Sequence, residues 1–198
     1  APTGVFESVD MIEKIVRENQ DIVVVIDEAY IDFGGKSCLT LLEKYENLLV
    51  VQTFSKSRSM AGLRIGCVFG NEKLISYLND IRFSINSYTM NTLSQICGAE
   101  AVIDREYFTS TLEKIFATRE RIKKELSALG FTFPDSMTNF IFAKHEKLTG
   151  DFIFNELKKR KIYVRHWNSP RIKDYLRITI GTDEQMDKVI EALKEIIG

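Results

Sequence analysis

The 198-residue chain has only two histidines, three cysteines and one tryptophan, and its charges almost cancel. His145 and His166 stand at no metal-ligand spacing from each other or from a cysteine, so no zinc-type motif is present. Cys38, Cys67 and Cys97 are widely spaced and odd in number. They exclude a disulfide framework and read as small buried hydrophobes of a reducing compartment, which points to the cytoplasm. Lysine plus arginine is 27 and aspartate plus glutamate is 28, giving 27 − 28 = −1. Such a balance gives no reason to expect nucleic acid or an anionic membrane as partner. No apolar run reaches the roughly 20 residues needed to span a bilayer. Ala1-Pro2-Thr3-Gly4 has neither the basic nor the apolar stretch of a signal peptide. Repeats and low-complexity linkers are missing. So are a Gly-x-Gly-x-x-Gly after a strand and a Gly-x-Ser-x-Gly elbow. Gly35-Lys36-Ser37 imitates the end of a phosphate-binding loop, but Tyr30 occupies the position where the earlier glycine is required.

What is present is ordinary for a globular protein: 44% hydrophobic and 28% charged residues, in a chain long enough for one or two domains with a core. Val9, Ile12, Ile15 and Val16 recur at helical spacing within 7–20. The β-branched run Ile22–Ile26 reads as a strand buried on both faces, the habit of a parallel sheet covered by helices. Leu48–Val51 and Ile65–Phe69 read as two further strands, with a short helical stretch around Leu39–Tyr45 before the first. This alternation predicts an α/β fold. Residues 71–130 read as helix, broken near Ser84–Thr89, and the amphipathic run Asp104–Leu129 ends on Gly130 as a C-cap. Strands are expected at Phe140–Ala143, Ile162–Arg165 and Tyr175–Ile180, and helices at 149–160 and 183–197, the last opened by Thr182-Asp183. The expected organisation is a partial large domain over 1–85, a helical connector over 86–104 and a small α+β domain over 105–198.

Three patterns carry chemistry. Asp27-Glu28-Ala29-Tyr30 follows the first strand, and ligands of open α/β sheets bind outside the carboxyl ends of strands; the alternative is that Asp27 only caps the next element. The stretch Thr53–Gly66 also lies at a strand end. Its hydroxyls and an arginine suit a phosphate dianion, and its Lys56 can serve as a nucleophilic amine; the plainer reading is a solvated basic loop. In the third, Arg177 sits in the apolar strand Tyr175–Ile180. It faces solvent, pairs structurally, or binds a carboxylate through its planar fork.

Taken in order, PTG, VVVIDEAYIDF, TFSKSRSMAGLRIG and YLRITIGT resemble the histidinol-phosphate aminotransferase family of fold-type I, pyridoxal-phosphate-dependent enzymes, along the whole chain. The resemblance implies the C-terminal part of that fold: a partial, mostly parallel large-domain sheet and a small α+β domain, truncated at the N-terminus. It implies pyridoxal 5'-phosphate as cofactor, histidinol phosphate and 2-oxoglutarate as substrates, a place in histidine biosynthesis, and a homodimer. Lys56 would attach the cofactor covalently and shuttle the substrate's Cα proton. Asp27 would pair with the pyridine nitrogen and Tyr30 with the phenolic oxygen. Ser55 and Arg64, with Thr53 as a further candidate, would hold the cofactor phosphate. Arg177 would grip the substrate carboxylate. Arg165 matches the family position that meets the substrate phosphate, its alternative being a surface arginine at a strand end. The family's asparagine before Pro-Thr-Gly is Ala1 here, and Ser87–Asn91 carries serine where the family has proline. An aromatic aminotransferase and a threonine-phosphate decarboxylase share Lys56, Asp27, Tyr30 and Arg64; a non-catalytic fragment that does not hold the cofactor is the remaining alternative.

Overall fold

The computed structural model describes residues 1–198, which divide into two compact units: Glu7–Ser110, and Ala1–Phe6 together with Thr111–Gly198. The unit from Glu7 opens with α1 (Val9–Glu18), whose first turn is capped by the Ser8 hydroxyl accepting from Met11 N at 3.2 Å. Its apolar stripe buries Val16 against Cys38, Leu41, Leu48 and Val50. The Asn47 amide donates to the carbonyls of Val16 (3.2 Å) and Asn19 (2.9 Å), tying the helix end to the strand that follows.

Three strands form the sheet of this unit: β1 (Val24–Asp27), β2 (Leu48–Thr53) and β3 (Gly66–Gly70), in that order. β1 and β2 run parallel, whereas β3 is antiparallel to β2. The carboxyl ends of β1 and β2 and the start of β3 therefore lie at one end of the sheet. The run Ile22–Ile26 is covered on one face only. Val24 and Ile26 pack on the core beneath α1, while Val23 and Val25 are about half exposed, at 48% and 56%. A β-branched run specifies a strand but not what covers its second face. The stretch expected as helix around Leu39–Tyr45 is a 3-10 turn over Cys38–Leu41, too short to repay nucleation of an α-helix. The helices α2 (Glu72–Ile85), α3 (Thr92–Ile103) and α4 (Arg105–Ala128) follow. Asn71 and Asn91 cap the first two.

The other unit is a four-stranded antiparallel sheet of β4 (Phe131–Thr132), β5 (Phe140–His145), β6 (Arg165–His166) and β7 (Leu176–Thr179), in the order β4-β5-β7-β6. Ile141, Ala143, Leu176 and Ile178 pack from one face onto Ile122 and Leu126 of α4, Ile153 and Leu157 of α5 (Gly150–Lys159) and Ile190 and Leu193 of α6 (Asp183–Ile197). The strand expected at Ile162 begins three residues later. Lys161 is left-handed at φ 61°, and Ile162 N donates to Leu157 O at 2.9 Å, so Ile162 closes the helix end instead of entering the sheet. Thr182 opens α6 with a full capping box, its partner being Gln185.

Residues 1–6 belong to this second unit. The Gly4 carbonyl accepts from Met137 N at 3.0 Å, and Gly4 sits at φ 75°. A Cβ there would stand 2.9 Å from the Ser136 hydroxyl. That hydroxyl is itself committed, donating to Phe140 O at 2.6 Å.

Candidate active site

The sheet end of the Glu7–Ser110 unit collects a carboxylate, a phenol, two hydroxyls, an amine and a guanidinium. Asp27 is the last residue of β1 and Thr53 the last of β2. The parallel register pairs Asp27 with Val51, and Thr53 pairs with Gly66 of β3, two residues past Arg64. Tyr30 begins a 3-10 turn over Ile31–Phe33, which brings its ring 5.6 Å from the Lys56 Nζ. The chain after β2 is a closed turn. Phe54 N donates to Ile65 O (3.1 Å), Met60 N to Phe54 O (3.0 Å) and Ser59 N to Lys56 O (3.2 Å). The Thr53 hydroxyl accepts from Ser55 N at 3.1 Å and lies 3.0 Å from the Ser55 hydroxyl. Two residues adopt left-handed backbone to make this path, Ser59 at φ 55° and Arg64 at φ 56°. Lys56 and Arg64 are exposed, and the Arg64 guanidinium donates to the Ala61 carbonyl at 2.8 Å.

Asp27 is exposed, and its Oδ1 accepts from Ala29 N at 2.9 Å, a local turn of the kind aspartate favours. The buried acid at this sheet end is its neighbour Glu28, at 5% exposure. Glu28 accepts from Cys38 N (2.6 Å), the Ser37 hydroxyl (2.7 Å) and the Gln52 amide (2.9 Å). Sequence reasoning assigned Glu28 no role. The only signal for it is an acid directly after a buried strand, and alternation across the strand puts it on the core side while Asp27 faces out. Two further anchors escaped notice. The Ser57 hydroxyl donates to Asp32 at 2.5 Å, fixing the turn just after Lys56. The Arg58 guanidinium lies on Phe108 (4.1 Å) and Phe54 (5.4 Å) and donates to the Ala101 carbonyl, so this arginine supports the turn.

The remaining two candidates lie in the other unit. Arg165 of β6 and Arg177 of β7 are direct cross-strand partners. Arg177 is half-buried, and its Nε is buried without a hydrogen-bond partner. Of the stretch Ser87–Asn91, Asn91 serves α3, its side chain accepting from Ser94 N at 2.8 Å.

The donor set at the sheet end fits a phosphorylated aldehyde cofactor: an amine to attach it, hydroxyls and a guanidinium for its phosphate, a carboxylate and a phenol for its ring. The chain belongs to the aminotransferase class I and II family, whose model matches residues 1–193. Within that family it is 53% identical, over 197 residues, to the histidinol-phosphate aminotransferase of Lactococcus lactis subsp. cremoris strain SK11, covering 100% of this chain and 55% of that protein. It is 50% identical to the enzyme of the same name from Brachyspira hyodysenteriae, covering 100% of this chain and 56% of the relative. The chain thus spans about half the length of the curated relatives it matches. Among solved structures, histidinol-phosphate aminotransferase from Sinorhizobium meliloti in complex with pyridoxal-5'-phosphate superposes with a TM-score of 0.88 at 25% identity, covering 99% of this chain and 54% of that one.

Proposed function

We propose that this chain is the lysine-bearing portion of a pyridoxal-phosphate-dependent transaminase that moves an amino group between histidinol phosphate and 2-oxoglutarate. The observation that carries the reading is the gathering of Asp27, Tyr30, Thr53, Ser55, Lys56 and Arg64 at one sheet end. Relatives named histidinol-phosphate aminotransferase, at about half identity, support the substrate. Pyridoxal phosphate, when bound, supplies an electron sink for charge developing at the substrate Cα. The chain's own residues do the rest. The Lys56 amine would hold the cofactor and would carry the substrate Cα proton. Asp27 is a fixed anion for the protonated pyridine nitrogen. Tyr30, within reach of Lys56, hydrogen-bonds the phenolic oxygen. Ser55 and Arg64, with Thr53, hold the phosphate. Arg177 takes the carboxylate of the amino-acid substrate and Arg165 the phosphate of the amino-alcohol substrate. A cytoplasmic homodimer accompanies this reading.

The test is reductive trapping of the full-length protein. Borohydride added after pyridoxal phosphate should fix a pyridoxyl group on Lys56, located by peptide mapping, and Lys56→Ala should lose both the adduct and transamination of histidinol phosphate. An adduct on another lysine overturns the assignment.

A further inference from the structure

The antiparallel pairing of β6 with β7 sets Arg165 directly opposite Arg177, on one face of the sheet. Like charges so placed repel. No carboxylate forms a salt bridge with either. What lies beside both is the ring of Trp167. Its centroid is 5.4 Å from the Arg165 guanidinium carbon and 5.7 Å from that of Arg177. Phe140 lies 5.1 Å from the same Arg177 carbon, so Arg177 has two aromatic neighbours. Trp167 is itself braced. It meets Phe142 edge-on at 6.0 Å and 75°, and Phe142, nearly fully buried, stacks on Tyr175 at 4.5 Å.

The manner of holding matters. A carboxylate would engage a guanidinium along its edge and consume the N–H fork. An aromatic ring attracts the cation through its quadrupole and takes no hydrogen bond from it. Two like charges are held side by side with donors uncommitted, and the buried Arg177 Nε has no acceptor at all. A buried donor with no partner is costly unless a ligand supplies the acceptor.

We propose that Trp167 is a positioning residue that holds Arg165 and Arg177 together as one clamp for an oxyanion of the substrate. The inference rests on the reading above that these two arginines face substrate, and it extends that reading to a residue that acts through them.

Trp167 is the chain's only tryptophan, so its fluorescence reports on the clamp. Inorganic phosphate, titrated at constant ionic strength against chloride, should change that fluorescence saturably, with a matched calorimetric titration giving the affinity. Arg165→Met with Arg177→Met should abolish both signals. By calorimetry, Trp167→Leu should weaken phosphate binding roughly tenfold or more, the scale of one charged hydrogen bond. Trp167→Tyr should restore it to within about threefold, because the ring face is kept. Absence of any phosphate binding to the unmodified chain overturns the arginine-pair reading itself. Phosphate binding that leaves the Trp167 signal unmoved, or that survives unchanged in a folded Trp167→Leu variant, overturns the positioning role while leaving the arginine pair standing.

Discussion

Gln52 donates its side-chain amide to the Glu28 carboxylate across the ends of β1 and β2, at 2.9 Å. Glu28 is the first residue past β1, and the same carboxylate receives Ser37 and Cys38. One buried acid beside Asp27 therefore ties the connection after β1 to Gln52 near the end of β2, four residues before Lys56.

Removing that acid should be expensive. Glu28→Ala leaves one buried and two partly buried donors without an acceptor and is expected to lower the unfolding free energy by about 2–3 kcal/mol. Urea unfolding of the two proteins checks this. A loss under about 0.5 kcal/mol, the range of an ordinary surface substitution, would remove Glu28 from the structural account.

Burial first, and then the Glu28 carboxylate, push the Cys38 thiol up to about 11 from an ordinary 9.0. A folded-state value raised above the unfolded one favours folding while the thiol stays protonated. The contribution is complete below 9.0 and disappears as pH climbs through about 11. The difference in stability between the native sequence and Cys38→Ala should therefore shrink across that window. Iodoacetamide at about pH 8 should alkylate the partly exposed Cys67 and Cys97 well before Cys38. Equal labelling rates for all three would contradict the burial.

Gly4→Ala should destabilise the unit it joins. The left-handed backbone at φ 75° and the near clash with the Ser136 hydroxyl act together. A cost of about 1–3 kcal/mol is expected, read from the thermal midpoint of the mutant.

In the full-length protein, Arg165→Ala should raise KM for a phosphorylated substrate far more than for an unphosphorylated analogue. The lost charged hydrogen bond is worth about 1.5–3 kcal/mol, or roughly 10- to 100-fold. Equal losses on both substrates return Arg165 to the role of a surface residue.

β1 is an edge strand in this chain, with Val23 and Val25 exposed. An apolar unpaired edge invites pairing with another chain. Light scattering should find the 198-residue chain self-associated, and Val25→Lys should shift it toward monomer. A monomer without the substitution would count against this.

Much of this architecture was legible from periodicity. Helix α6 spans the residues expected of it, because Thr182 and the apolar spacing after it mark start and register together. The break between α2 and α3 and the stop at Gly130 were likewise written in local chemistry. What could not be read was set by long-range pairing. Nothing in Gly66–Gly70 states that β3 runs antiparallel, and nothing in Pro2-Thr3-Gly4 states that this segment packs on Met137. The candidate site residues were proposed from their motifs, and nothing in those motifs states that Glu28, next to the exposed Asp27, is buried. Trp167 went unnoticed because its importance depends on β6 lying beside β7, a fact of topology and not of spacing.

The left-handed Arg64 has a consequence of another kind. An L-residue at φ 56° carries a backbone cost of about 1–2 kcal/mol that glycine would not. If thermal endurance were the only pressure on this chain, arginine would drift to glycine here. On the proposed reading, in which the guanidinium would hold the cofactor phosphate, function pulls the other way. Codon 64 is then a place where a library sorted by heat and one sorted by turnover should diverge, the first enriching Gly and the second retaining Arg.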